Sequence, residues 1–241
     1  GTSFTNDASA TGIGTIDSAG SVNNDSGFSI VSYTGTGSNG TVKHGLNSVP
    51  KMFIVKELSN ANSWEVYHVS QGAGKNAQLN TTAAFESAGS SRWNSTAPTS
   101  SVFSIGTDSG VNRSSSNFIT YCFAEKQGYL KTGKWIGNGN NDGPFSFCGF
   151  KPAFIMIKRT DVAKNWYIND NLRLGYNVNN PYISPNITAA ETGGTEIDIL
   201  SNGFKIRASG TGHNQSGGTY IYMAIAENPF VTSTGVPACA R

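Results

Sequence analysis

The chain has 241 residues, a formal net charge of +2, 29 glycines and only 13% charged residues, where an average soluble domain carries about 25%. With no Lys/Arg run longer than two, it lacks the concentrated basic face of a nucleic-acid reader. No apolar stretch approaches the ~18 residues a membrane helix needs, and the abundance of Gly, Ser, Thr and Asn works against long amphipathic helices.

Residues 1–26 are rich in Gly, Ser, Thr, Asn and Asp, which predicts a linker, an N-terminal extension or a loosely attached edge strand. No basic stretch followed by an apolar one occurs there, so no secretory signal is expected in these residues. A first strand is predicted over Phe28–Gly35, closed by the Gly/Asn turn Gly35–Gly40, whose residues tolerate positive φ. The run Met52–Lys56 is apolar on both faces and should lie centrally. In Ser63–Val69, Trp64 and Val66 share one face and Glu65 and Tyr67 the other, the pattern of a half-exposed strand. A polar loop, 71–100, leads to Phe103–Ile105 and the long apolar strand Asn117–Glu125.

The same order then recurs: Tyr129–Gly137, the turn Gly137–Gly143, Phe154–Lys158, Asn165–Asn169, a loop over 172–196, Phe204–Ile206 and Thr219–Glu227. Trp64 and Trp166, Lys56 and Lys158, Pro50 and Pro152, and Ala124-Glu125 and Ala226-Glu227 all stand 102 residues apart. A register held over this length predicts an all-β fold of two tandem, internally duplicated antiparallel sandwich-like units. Repeat 1 runs over 27–126, repeat 2 over 127–230, and a C-terminal tail over 231–241.

Duplication favours scaffolds and surfaces over a single active site. Cys122, Cys148 and Cys239 have no metal-ligand spacing, and the repeats share no cysteine framework; small buried hydrophobes at Cys122 and Cys148 are expected. His44, His68 and His213 stand apart from any acid or cysteine pattern. The run Asn138–Gly143 has the oxygen content of a calcium loop but not its spacing, and reads as a turn. No Gly-x-Ser-x-Gly, His-Glu-x-x-His or phosphate loop occurs, and the 15 acidic residues are thinly spread. Glu125 and Glu227 recur at matched strand ends, where pairing with Lys56 and Lys158 would give them a structural task. No enzymatic activity, cofactor or metal is expected.

Trp93 differs from the other tryptophans. It lies in the polar loop Ser90-Ser-Arg-Trp-Asn-Ser95 without a counterpart, as either a loop anchor or an exposed ring for sugar or protein contact. Together with Arg92, Tyr176 and Tyr182 it makes up the predicted ligand-binding set, drawn from loops 71–100 and 172–196.

Several strings resemble one family: Gly27-Phe-Ser-Ile-Val-Ser-Tyr-Thr-Gly35, His44-Gly-Leu-Asn-Ser-Val-Pro-Lys-Met-Phe-Ile-Val-Lys56, Trp64-Glu-Val-Tyr-His68, Leu200-Ser-Asn-Gly-Phe-Lys-Ile206 and Gly218-Thr-Tyr-Ile-Tyr-Met-Ala-Ile-Ala-Glu-Asn-Pro-Phe230. They resemble uncharacterised C-terminal domains of marine bacteriophage tail-fibre and virion proteins, over nearly all of 17–241. That resemblance implies an extracellular virion component, usually a homotrimer. It would bind a host-surface glycan or outer-membrane protein, or pack as a purely structural part on other virion proteins, with no nucleic acid and no membrane insertion. It carries no site residues with it.

Overall fold

The structure, a computed structural model, describes residues 1–173, 177 and 181–228. Tyr176, Cys239 and the tail 231–241 lie outside the described residues. The chain is nearly all β and divides into two compact units.

Unit 1 comprises Gly1–Leu79 and Phe85–Glu125. Its elements are β1 (Thr2–Asn6), α1 (Ala8–Thr11), β2 (Ser18–Asn23), β3 (Phe28–Thr34), β4 (Gly40–Lys43), β5 (Met52–Glu57), β6 (Trp64–His68), β7 (Lys75–Gln78), β8 (Glu86–Ser87), β9 (Val102–Ile105), α2 (Ser109–Asn112) and β10 (Asn117–Phe123). One antiparallel sheet runs β1-β2-β3-β10-β5-β6-β7-β8, and β4 pairs with β9 in a two-stranded ribbon. Alternation along the strands makes the core: Val31 and Tyr33 of β3, Phe53 and Val55 of β5 and Phe118 of β10 pack with Val42 of β4 and Phe103 and Ile105 of β9.

Of the three alternatives for residues 1–26 the structure has the edge strand, firmly attached, and not a linker. β1 and β2 extend the large sheet, and Ile16, only 5% exposed, forms a parallel bridge with Val42. Phe4 anchors this segment by packing on the core, where Gly20 and Gly45 leave room for its ring. α1 starts at Asp7, whose side chain accepts from the Ala10 N–H, and stops at Gly12 at φ 68°.

β6 is also covered on both faces, unlike the half-exposed strand its alternation predicts. Tyr67 stacks on Phe53 at 4.6 Å, Val66 is fully buried, and Glu65 is 2% exposed. A carboxylate tolerates that place because Asn76 and Gln78 donate to it and Arg92 pairs with it.

Unit 2 comprises Asn80–Ala84 and the described residues from Lys126 onward. It contains β11 (Leu130–Ile136), β12 (Phe145–Phe147), β13 (Pro152–Arg159), β14 (Trp166–Asp170), β15 (Tyr182–Ile183), β16 (Ile197–Leu200), β17 (Gly203–Ile206) and β18 (Thr219–Ala226). A five-stranded sheet, β11-β18-β13-β14-β15, and a three-stranded one, β12-β17-β16, enclose a core of Trp135, Ile155, Ile157, Tyr220, Ile197, Phe204 and Ile206. Asn80–Ala84 belongs here because the Thr82 carbonyl accepts from Lys158 Nζ at 3.0 Å and from the Lys164 N–H at 2.8 Å. Lys158 is fully buried among carbonyls, and its burial brings its pKa down to about 8. Neither it nor Lys56 meets a strand-end glutamate through the bonds that hold it: Lys56 donates to the carbonyls of Glu57, Asn60 and Asn62, and Glu227 pairs with Lys151.

The strand order β3-β10-β5-β6 in unit 1 reads β11-β18-β13-β14 in unit 2. Individual bonds recur at the 102-residue spacing. Tyr33 Oη donates to the Val111 carbonyl at 2.6 Å, and Trp135 Nε1 to that of His213 at 3.1 Å. A buried asparagine clamps each Gly/Asn turn. Asn112 accepts from the Thr36 N–H and donates to the Ser38 carbonyl; Asn214 does the same for Asn138 and Asn140.

His44 is fully buried; its Nδ1 accepts from the Leu46 N–H, so Nε2 carries the proton and donates to the Thr99 carbonyl. Burial lowers its pKa from the ordinary 6.5 to about 4. The unfolded chain then takes up the proton first, so stability is present above pH 6.5 and is lost as pH falls towards 4. The expected loss is about 3 kcal/mol. Urea unfolding at pH 7, 5.5 and 4 should show it, and His44→Gln should flatten the dependence in that window; an unchanged slope would disprove the assignment.

Candidate ligand-binding site

Unit 2 exposes two aromatic rings on one short strand. In β12, Phe145-Ser-Phe147, Ser146 is buried opposite Phe204 while the two rings point outward, 46% and 61% exposed. Alternation along a strand puts both on one face, about 7 Å apart. Opposite Phe147 stands Gly203, where a Cβ would lie 2.1 Å from the Ser146 carbonyl oxygen. Opposite Phe145 stands Lys205. The outer face of this small sheet is therefore aromatic on its edge strand and cationic on its central one. In unit 1, Val42 faces Phe103 as Ser146 faces Phe204, so Thr41 and Lys43 take the places of the two rings.

Beyond Lys205 the chain reaches Arg207 and the turn Asn138–Gly143. Side chains of the turn stabilise it locally: Asn138 accepts from the Asn140 N–H, and Asn140 from the Asp142 N–H. The side-chain oxygens of Asn138 and Asn140 are thus committed to the turn. Asp142 projects from it, 77% exposed at the side chain, with Lys205 Nζ 2.6 Å and Arg207 Nη1 3.8 Å from the same oxygen. The Lys205 hydrogen bond lowers the Asp142 pKa first, with both cations adding to it. Arg207 also pairs with Asp198 at 2.8 Å.

Asp142 and Arg207 line a groove of about 700 Å3 together with Asn141, Thr195 and Glu196. Glu196 is held from behind by His213 Nδ1 at 3.1 Å, and that hydrogen bond lowers its pKa. His213 lies against Tyr167 (4.4 Å between centroids) and Tyr182 (5.7 Å). Burial pushes the Tyr167 hydroxyl up to about 12. Glu196 is thus backed by a packed cluster of rings, and the groove in front of it is lined by charged side chains.

The predicted contact residues lie elsewhere. Trp93 is a core residue of unit 1 with no exposed surface; its Nε1 donates to the Lys75 carbonyl, and its ring meets Phe53 edge-on at 4.9 Å. Arg92 is turned inward to Glu65 and Asp108. Tyr182 sits half-buried on β15 against Tyr167 and supports the groove instead of lining it. Tyr176 is outside the described residues. In the sequence Phe145 and Phe147 are marked only by a three-residue alternation with the larger residues at the outer positions. Cys122 and Cys148 are buried, as expected.

The fold and this surface define an all-β, sandwich-like domain with a solvent-open face of aromatic and charged side chains. The chain belongs to the family described as Domain of unknown function (DUF7483), which matches residues 3–229. No curated protein and no solved structure matches it.

Proposed function

We propose that the protein is a non-enzymatic module of the phage tail-fibre type, built from a duplicated unit, that binds a glycan on the host surface through the outer face of β12, β17 and β16. In this reading it acts in the virion, outside the cell, as a homo-oligomer. The observation that carries it is the exposed ring pair Phe145 and Phe147 on one face of β12, with Lys205 directly across from Phe145. Flat apolar rings beside hydrogen-bonding groups suit the apolar faces and hydroxyls of sugar rings. The family resemblance in the sequence supports the setting.

A second reading draws on the edge position of β12. A neighbouring virion subunit could add a strand there, with the rings packing between subunits. One experiment separates the two: binding of the labelled, folded chain to a bacterial panel and to purified surface polysaccharides, with the double variant Phe145→Ala/Phe147→Ala alongside. Because neither ring is in the core, the variant should keep its melting temperature. Glycan binding should fall tenfold or more. Unchanged glycan binding with an altered oligomeric state would replace the receptor reading with the structural one.

A further inference from the structure

We infer that the glycan taken by this face is acidic, and that its carboxylate sits between Lys205 and Arg207 in the place now held by Asp142. The inference rests on the glycan-binding reading above and deepens it. Lys205 and Arg207 stand two residues apart in the chain and converge on one oxygen of Asp142, itself 77% exposed. An exposed ion pair of this kind contributes little to stability, since water competes for both partners. An incoming carboxylate can displace it at small cost, accept the same hydrogen bond from Lys205 and face the Arg207 charge.

The position of the rings fits the geometry of a uronic acid. Phe145 is the direct cross-strand partner of Lys205, and such partners have Cβ atoms about 5 Å apart. A uronate carries its carboxylate at the edge of the pyranose ring, so a ring stacked on Phe145 directs that group towards Lys205. Arg207 is kept in place by Asp198 at 2.8 Å, so it needs no reorganisation when Asp142 leaves. Unit 1 offers no equivalent, because Thr41 and Ser104 occupy the positions of Phe145 and Lys205.

The test titrates the full chain with polygalacturonate, alginate and hyaluronate, and with carboxyl-reduced polygalacturonate as the neutral control. Wild-type protein should bind at least one acidic polymer and lose affinity as salt rises. Asp142→Ala keeps the backbone bonds of the turn and should tighten that binding several-fold, with Asp142→Asn as a second, shape-preserving variant. Lys205→Ala should weaken it about tenfold, and neither Asp142 variant should tighten binding of the reduced polymer. Weaker acidic binding in both Asp142 variants would overturn the inference, as would equal affinity for the reduced polymer. Binding of neutral panel glycans alone, through the two phenylalanines, would overturn it and leave the receptor reading standing. Binding of no glycan at all would remove both.

Discussion

Replacing Trp93 with Ala is expected to destabilise the protein by about 3–5 kcal/mol, the range for removing a large aromatic from a packed core. The indole has no exposed surface and sits edge-on to both Phe53 (4.9 Å, 82°) and Tyr67 (6.2 Å, 84°). These two rings in turn stack on each other, so the deletion strips contacts from a three-ring cluster. It also orphans the Lys75 carbonyl at the start of β7, which accepts the indole N–H at 3.1 Å. The backbone around it is committed to this placement, with Asn94 at φ 49° and Ser95 at φ 48°, two successive residues in the left-handed region. Such a loop cannot easily close over the void. Denaturant unfolding of the variant, followed by far-UV circular dichroism, measures the effect. A loss below about 1 kcal/mol would mean that Trp93 is not a core residue in solution.

Arg92→Ala should cost a similar amount, about 3–5 kcal/mol, for a different reason. Glu65 is 2% exposed and Arg92 15% exposed at the side chain, so removing the guanidinium leaves a buried carboxylate without its cation. Asn76 and Gln78 still donate to Glu65, but neutral donors do not replace a charge. Asp108 loses the same partner while still capping α2 through the Gly110 N–H. The double variant Arg92→Ala/Glu65→Gln removes the stranded charge and should recover a large part of the loss. A double-mutant cycle with Glu65→Gln alone isolates the coupling. Additive effects would show that the pair is not coupled, and the polar cluster would then be held by its hydrogen bonds alone.

Both residues were the leading contact candidates on sequence grounds, and both face inward. The reason lies in what a loop text leaves open. Ser, Arg, Asn and Ser around Trp93 are polar, yet their backbone groups close on one another through turn bonds such as Asn94 N–H to Ser90 O. A polar segment that satisfies itself in this way can turn an aromatic inward. Whether it does depends on Phe53 and Tyr67, far away in the chain. Phe145 and Phe147 show the converse: two large apolar residues in an apolar–polar–apolar triplet face water because the core position between them is Ser146.

Local pattern was enough to determine the all-β class, the central placement of β5 and β13 with apolar residues on both faces, and the Gly/Asn turns. Those depend on alternation and on residues that tolerate positive φ, which neighbours in the chain decide. Only the tertiary structure decided that residues 1–26 are part of a sheet, that β6 is covered on both faces, and that Asn80–Ala84 belongs to unit 2. It also decided which aromatics meet solvent. Burial is set by what packs over a residue from distant parts of the chain, and no stretch of sequence carries that information about itself.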